Sequence, residues 1–595
     1  MIRVPSRIKS WLVAALAGAS APSSAGQPYR GHWFWGAFRG NGWTYGQVVL
    51  AATVINVFSL ASALFIMTVY DRVIPNNAIE SLIALTIGMV IVLTFDFLLK
   101  TLRGYFIDVA GQNVDRAVGE RLFDKVLTMS MSSRSGSSGA VAGQLREFEA
   151  LRDFFTSATL VAIVDLPFII LFLFVIWLIG GPIVLAPALA VPFVLLAGGL
   201  IQPFLNRLTG RAYEDRQSKQ GTLVEALSGL ETIKSVAAGD MMRHRWSKAV
   251  ADQTQTATQG RFLSQFAINA ASLAQQAAQV GIVVFGVFLV TAGQLSMGAL
   301  IACVILCSRT LAPLAQLANV LSRANHAWTA YRRIGALMGS EDEGAGPTVY
   351  LKRTALEGRI EFRDVAFSYP GQSAPALSDV NFIVQPGEKV AVLGRTGSGK
   401  STVVRLIVGL YEPSSGAVMI DDTDVRQIDP ADLRRAIGSV LQDVHLFSGT
   451  VRENIALDRP DVTDEDILRA AKISGVHDFI GGMPQGYGLV LKERGEGLSG
   501  GQRQALCMAR ALVASPDILI LDEPTSMMDV ASELQLIERL RWEIKDRTLL
   551  AVTHRGSMMK LVDWAIVLDR GKVVADGAKD RVLASLQRSV KGAET

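Results

Sequence analysis

The first half of the chain alternates long uncharged stretches with polar, basic ones, and the second half changes to short apolar runs between glycine-rich turns. Asn41 to Tyr70 contains no Asp, Glu, Lys or Arg, which is long enough to cross a bilayer core that needs about 20 apolar residues. After the short turn Asp71 to Asn77, a second span runs from about Ser81 to Leu99 and contains Asp96. Residues 166–206 carry no charge, Gly180-Gly181-Pro182 lies near their middle, and Ser157 to Asp165 leads in, a pattern that predicts a helical hairpin of two spans. Phe262 to Ser308 is divided in the same way at Ala292-Gly293-Gln294. Six spans are therefore expected.

The segments between the hairpins are long, and apolar residues recur in them at helical spacing over Val114–Met129, Gly143–Phe155 and Leu223–Val236. Ser132 to Ala142, rich in Ser and Gly, reads as a bend or as a solvated loop. These segments also hold the positive charge: Lys100, Arg103, Arg116, Arg121, Lys125, Arg134, Arg146 and Arg152 in the first, and Arg207, Arg211, Arg216, Lys219, Lys234, Arg243, Arg245 and Lys248 in the second. The other turns are short and nearly free of it, so the long segments and both termini are expected on the cytoplasmic side. Gly339 to Pro347 is polar and flexible and reads as a linker. The expected layout is a tail over residues 1–40, a membrane domain over 41–338, a linker over 339–355 and a soluble domain over 356–595.

Composition agrees with a membrane portion, since the 595 residues are 50% hydrophobic and the mean hydropathy is +0.32. A net charge of +4 is small for this size, so nothing points to nucleic acid. Cys303 and Cys307 stand four residues apart in an apolar segment, where packing of two small side chains outweighs a metal or redox pair. Arg3, Arg7 and Lys9 followed by Trp11–Ala17 imitate a signal peptide, but the apolar core is short. With His32-Trp33-Phe34-Trp35 behind it, the stretch reads as a tail at the membrane surface, its aromatics suited to the interface, or as simple disorder up to about Gly31.

Chemistry concentrates in the soluble half. Gly394-Arg395-Thr396-Gly397-Ser398-Gly399-Lys400-Ser401, continued by Thr402, fits G-x-x-x-x-G-K-[ST] and lies between the strand-like Lys389–Leu393 and a helix-like run. Its glycines let backbone N–H groups converge on phosphate oxygens, Lys400 adds a full charge, and Ser401 is placed to set its hydroxyl on Mg²⁺. Alone, the motif says only nucleotide binding. About a hundred residues later come Leu498-Ser499-Gly500-Gly501-Gln502 and then Asp517–Glu523, a buried-strand pattern ending in two carboxylates. Asp522 can hold a metal shell and Glu523 can polarise a water as general base. His554 ends another apolar run, Thr548–Thr553, and would face the same site.

Together these motifs resemble the ATP-binding cassette (ABC) family. Singly, His554 reads as a fold residue, Tyr369 as packing and Gly500-Gly501 as a turn; their order and spacing decide otherwise. The resemblance implies a six-span α-helical membrane domain of the type I ABC exporter fold followed by an α/β P-loop ATPase domain that uses ATP and Mg²⁺. It gives Tyr369 as the adenine-stacking ring and Gln442 as the sensor of Mg²⁺ and the γ-phosphate. Ser526-Met527-Met528-Asp529 resembles the loop joining two half-sites, and Ser499, Gly500, Gly501 and Gln502 close on ATP held by the other subunit. One cassette per chain, with no degenerate catalytic position, therefore implies a homodimer. The resemblance also implies that spans extend into the cytosol, where short transverse helices dock on the ATPase. Lys492 stands in the loop before the signature where the family has Gly-Glu, a difference placed to alter transmission and not chemistry.

Thr68 to Asn77 and Val164-Asp165-Leu166-Pro167-Phe168 resemble the type I secretion exporters, and His32 to Trp43 those of adhesins and toxins. That implies unfolded polypeptide as cargo, a periplasmic adaptor and an outer-membrane channel as partners, and a bacterial inner membrane as the location. Many such exporters carry an N-terminal peptidase-like domain, for which this chain is too short before its first span. With no Cys in the first three hundred residues, a cysteine peptidase that removes leader peptides is not expected. Export of lipid or small amphipathic molecules stays open as the alternative, and a soluble ATPase of repair or assembly is disfavoured by the spans. Asp96 and Asp165 are ionisable groups within spans, suited to helix partnering or to a polar path.

Overall fold

The computed structural model describes residues 32–133, 138–156, 158–343, 350–353 and 355–593. The signal-like stretch, residues 134–137 of the Ser-rich bend and residues 344–349 and 354 of the linker fall outside them. The described chain divides into two compact units, one ending at Gly339 and one starting at Ser340, with Thr128–Ser135 grouped with the second.

The first unit is helical: α1 (Trp35–Gly40), α2 (Gly42–Thr68), α3 (Ile79–Thr128), α4 (Ser138–Thr156), α5 (Ala158–Asp165), α6 (Phe168–Gly180), α7 (Leu185–Ser228), α8 (Leu230–Ser235), α9 (Gly239–Thr291), α10 (Met297–Ala315) and α11 (Leu317–Met338). Among the described residues, five helical stretches are long and apolar enough to cross a membrane: Gly42–Asn76, Ile79–Thr128, Val161–Ser228, Gly239–Thr291 and Met297–Leu314. The third is interrupted at Gly181, where φ is 56°, and continues through a short 3₁₀ turn to Val184. Both α6 and α7 then pack on α10. Counted as one stretch it gives five candidate spans, and counted as α6 and α7 separately it restores the six expected.

Spans run on as continuous helices into the basic segments that follow them, as the resemblance implied. The 50-residue α3 joins the second span to the helical run after it, and α7 passes through Pro192 and Pro203 without ending. Helix does stop at Gly229, so Leu223–Val236 is the end of α7 followed by the short α8. The membrane core gathers Ala63, Phe172, Ile176, Ala274, Ala278, Ile282, Leu306 and Leu311. Small residues along α9 let helices approach closely, as is usual where lipid removes the hydrophobic drive between spans.

The aromatic run before the first span is placed differently from an interface belt. Phe34 is fully buried against Val118, Leu122, Leu151 and Ile334, with its ring 5.4 Å from Phe155 and 5.6 Å from Tyr331. Burying so large an apolar ring among helices is worth about 2 kcal/mol, which an interfacial position would yield only in part. Trp35 remains half-exposed, and His32 is exposed as well.

At the far end of α2 the helix widens into a π turn over Val69–Val73. Asp71 there accepts bonds from Ser296 Oγ at 2.5 Å and from the Gly298 N–H at 2.8 Å, capping α10. A Cβ on Gly298 would collide with the Met67 carbonyl and lie 2.6 Å from Asp71 Oδ1. Gly298→Ala is therefore expected to destabilise the membrane unit by about 1–3 kcal/mol, read as a lowered melting temperature of the detergent-solubilised protein.

The second unit carries strands β1 (Ile360–Phe367), β2 (Leu377–Val384), β3 (Lys389–Gly394), β4 (Ser415–Ile420), β5 (Thr423–Asp424), β6 (Ile437–Val440), β7 (Gly449–Thr450), β8 (Val490–Leu491), β9 (Ile518–Asp522), β10 (Thr548–Val552), β11 (Trp564–Asp569) and β12 (Lys572–Ala578). The main sheet has the order β12-β11-β3-β10-β9-β6, and an antiparallel sheet of order β2-β1-β4-β5 stands with it. In the main sheet β11, β3, β10, β9 and β6 run parallel, and β9 and β10 are buried at every position. Continuous apolar runs are what a sheet covered on both faces requires. Three chemically distinct loops therefore leave adjacent strand ends of β3, β9 and β10.

Candidate functional site

The phosphate-loop pattern becomes a strand, loop and helix as expected. Gly394, Gly397 and Gly399 have φ of 153°, 80° and 101°, values open to glycine and strained for other residues. A Cβ at Gly399 would also meet the Ala376 carbonyl at 2.7 Å. The loop delivers Lys400 to the start of α12 (Lys400–Ile407), where its ammonium donates to the carbonyls of Gly394 and Arg395, each at 2.9 Å. Burial pulls the Lys400 ammonium below its usual range, while Glu523 and Asp522 oppose that shift by charge.

β9 lies between β10 and β6 and ends on the two carboxylates. Asp522 is 3% exposed. Burial raises its carboxyl above the usual range, partly offset by a hydrogen bond from Ser401. Its Oδ1 and the Ser398 hydroxyl are both buried without a hydrogen-bond partner. Glu523 follows with φ of 50°, its N–H bonded to the Val552 carbonyl at 2.9 Å. This left-handed turn moves Glu523 off the strand and brings its Oε1 to 3.7 Å from His554 Nε2. Lys400, Ser401, Asp522, Glu523 and His554 are thus brought together by the strand order.

Tyr369 joins them from the other sheet. Its hydroxyl lies 3.1 Å from Thr402 Oγ1 and accepts from Arg405 at 2.8 Å, and its ring meets Phe367 and Tyr411 edge-on. Gln442 is exposed, two residues past the end of β6 and one strand from Asp522. The signature sits elsewhere in the unit, heading α15 of the helical lobe, after α13 (Val451–Ala456) and α14 (Asp464–Ser474), with α15 itself spanning Gly500–Leu512. Ser499 and Gln502 bond each other's backbone in a capping box, at 3.2 and 2.9 Å. Among the described residues no hydrogen bond joins the signature to the phosphate loop.

Three residues to which the pattern assigned no role connect these pieces. Gln504, buried on α15, donates to the Glu523 carbonyl at 3.2 Å and to Ser526 Oγ at 2.8 Å, and accepts from the Met527 N–H at 2.9 Å. Glu533, on the helix Val530–Glu543, accepts from Thr525, Ser557 and Arg555 at 2.8, 2.6 and 2.7 Å. Burial pushes its carboxyl up, but these three donors outweigh burial and leave it below the usual range. Arg555 also donates to the carbonyls of Met528 and Ser526. The loop Pro524–Asp529 is thereby clamped from the signature side by Gln504 and from the His554 side by Arg555. Gln504 stands in a strongly patterned segment and Arg555 directly follows His554, yet only folding reveals that they share a loop. Arg555→Ala would leave Glu533 buried without its cation and free that loop. We expect a loss of about 2 kcal/mol in stability together with slowed ATP turnover, measured by thermal unfolding and phosphate release, with Arg555→Lys recovering part of both.

Residues 46–314 match the ABC transporter transmembrane region and residues 377–526 the ABC transporter family model. The chain is 33% identical over 90% of its length to the leukotoxin export ATP-binding protein LtxB of Aggregatibacter actinomycetemcomitans, covering 76% of that protein. The chain belongs to the ABC transporter family. Among the transporter's other relatives are the toxin RTX-I translocation ATP-binding protein of Actinobacillus pleuropneumoniae, 33% identical over 90% of this chain and 76% of that one, and the cyclolysin secretion/processing ATP-binding protein CyaB of Bordetella pertussis, 33% identical over 95% and 80%. A bacterial Atm1-family ABC exporter with ATP bound shares the fold, with a TM-score of 0.79 over 91% of this chain and 96% of that one at 24% identity. The transporter is an ATP-binding inner-membrane protein and an ATPase coupled to transport.

Proposed function

We propose that this ABC transporter energises type I secretion, exporting unfolded polypeptide such as a toxin, protease or adhesin. The observation that carries the reading is its match along most of its length to ATP-binding proteins named for leukotoxin, RTX-I toxin and cyclolysin export. In this reading it acts as a homodimer with a periplasmic adaptor and an outer-membrane channel, its ATPase unit and both termini cytoplasmic, as the bias of Lys and Arg favours.

The site residues take these roles. Backbone N–H groups of Gly394 to Thr402 and the Lys400 ammonium bind the β- and γ-phosphates, and Tyr369 offers its ring to adenine. The partnerless Oδ1 of Asp522 and the hydroxyl of Ser401 form a donor set of the hard oxygen type that suits Mg²⁺. Gln442 completes it from the end of β6. Bound Mg²⁺ would neutralise charge on the phosphates. Glu523 polarises the attacking water, and His554 beside it holds the γ-phosphate edge of the site. Ser499, Gly500, Gly501 and Gln502 cover nucleotide bound to the other protomer. Two closed cassettes then reopen after hydrolysis, and the membrane units switch access by differential binding, without chemistry on the cargo.

Deleting the gene in its native host and comparing culture supernatants by mass spectrometry tests this. Loss of one large polypeptide from the medium, with its accumulation in cells, is the expected result. An unchanged supernatant with altered membrane-lipid distribution would replace this reading by lipid export.

A further inference from the structure

Tyr369 stands on the loop of residues 368–376 that joins β1 to β2. The loop is closed at its base, where the Ala376 N–H donates to the Phe367 carbonyl at 2.8 Å. From Pro370 to Pro375 every residue is exposed, so the loop has no packing of its own to hold it. Tyr369 is half-buried, and its hydroxyl reaches two side chains of α12: Thr402 Oγ1 at 3.1 Å, and Arg405, which donates to it at 2.8 Å. A phenol carries one donor beside its acceptor lone pairs. Accepting from Arg405 therefore leaves the Tyr369 O–H to donate to Thr402, and the three groups form one directed chain.

Residues 402 and 405 are three apart on a helix and share a face. They belong to the helix that begins at Lys400, so the ring and the phosphate loop are referred to one rigid element. Arg405 is half-buried, and among the described residues it has no ion pair and a single hydrogen bond, the one to Tyr369. A charged donor makes the stronger kind of hydrogen bond, and here it is directed wholly at the phenol. Phe367 and Tyr411 meet the ring edge-on, with centroids 4.9 and 5.3 Å away. Among the described residues no ring stacks parallel on it, and parallel stacking is the mode a planar base would use.

We propose that Arg405 is a positioning residue for the nucleotide: its bond to the Tyr369 hydroxyl fixes the ring relative to the phosphate loop and so sets affinity for the base, not for the phosphates. The proposal rests on the reading of Tyr369 as the ring that stacks on adenine. Without the bond, each arriving nucleotide has to order the ring itself. The cost of immobilising one side chain corresponds to roughly threefold to tenfold in affinity.

The test titrates purified full-length protein in detergent with ATP and, separately, with tripolyphosphate, which offers phosphates and no base, by isothermal titration calorimetry. Arg405→Met keeps the stem and loses the donor, and Tyr369→Phe keeps the ring and loses the acceptor. Each is expected to weaken ATP binding by roughly threefold to tenfold and to leave tripolyphosphate binding as in wild type. The double variant should bind no worse than either single one, because both remove the same bond, and Arg405→Lys should recover most of the loss. In steady-state turnover the loss appears in KM and not in kcat. Equal losses for ATP and tripolyphosphate would mean that Arg405 only shapes α12, and would overturn the proposal, as would losses that add in the double variant. Tyr369→Ala separates the proposal from the reading beneath it. If that variant binds ATP weakly while Arg405→Met and Tyr369→Phe bind it as wild type does, the ring works without Arg405 and the proposal alone falls. If Tyr369→Ala also binds ATP as wild type does, the adenine role of Tyr369 falls with it.

Discussion

Glu523→Gln is expected to lower ATP turnover by about 10²–10⁴-fold, the usual contribution of a positioned general base, while nucleotide binding is unchanged. The amide keeps the size of the carboxylate and the backbone contacts that fix the residue: its N–H still reaches the Val552 carbonyl and its carbonyl still accepts from Gln504. Only proton-accepting capacity is lost. His554, with Nε2 3.7 Å from Glu523 Oε1, does not replace it. Phosphate release from purified protein measures the turnover, and a fluorescent ATP analogue measures the binding. Turnover within tenfold of wild type would mean that another group activates the water.

Lys400→Ala is expected to fail one step earlier. In the structure its ammonium gathers two loop carbonyls, Gly394 and Arg395, and sits within the field of Asp522 and Glu523. Removing it costs the charge that meets phosphate and the donor that shapes the loop. Two charge-assisted hydrogen bonds of about 1.5–3 kcal/mol each correspond to a loss of roughly a hundredfold or more in ATP affinity. A bound ligand raises the unfolding temperature in proportion to its occupancy. ATP should therefore stabilise wild type and Glu523→Gln against heat, and leave Lys400→Ala unmoved. Stabilisation of all three alike would contradict the role given to Lys400.

The chemistry was legible because it is local. The phosphate loop needs glycines at positive φ and a lysine at a set offset, and the carboxylates need the end of a buried apolar strand; both demands fall within ten residues of sequence. Uncharged runs marked the membrane unit for the same reason, since a bilayer acts on every residue of a span. What stayed hidden depends on contacts distant in sequence. Phe34 reads as an interface aromatic until Phe155 and Tyr331 fold around it. Gln504 and Arg555 read as ordinary polar positions until Ser526 lies between them. The antiparallel sheet of β1, β2 and β4 lacks the unbroken apolar runs of β9 and β10, and bulges in both of its main ladders blur its alternating period. The junction at Gly229 is likewise a single residue in an otherwise helical pattern.

The central claim is that ATP hydrolysis at this site drives polypeptide out of the cell. Its most direct test is the extracellular proteome of native-host cells in which Glu523→Gln replaces the wild-type protein at equal membrane abundance. The account predicts that one large secreted polypeptide disappears from the medium and is retained in cells, although the variant still binds ATP. Continued secretion at the wild-type level by a variant whose hydrolysis is abolished would contradict it.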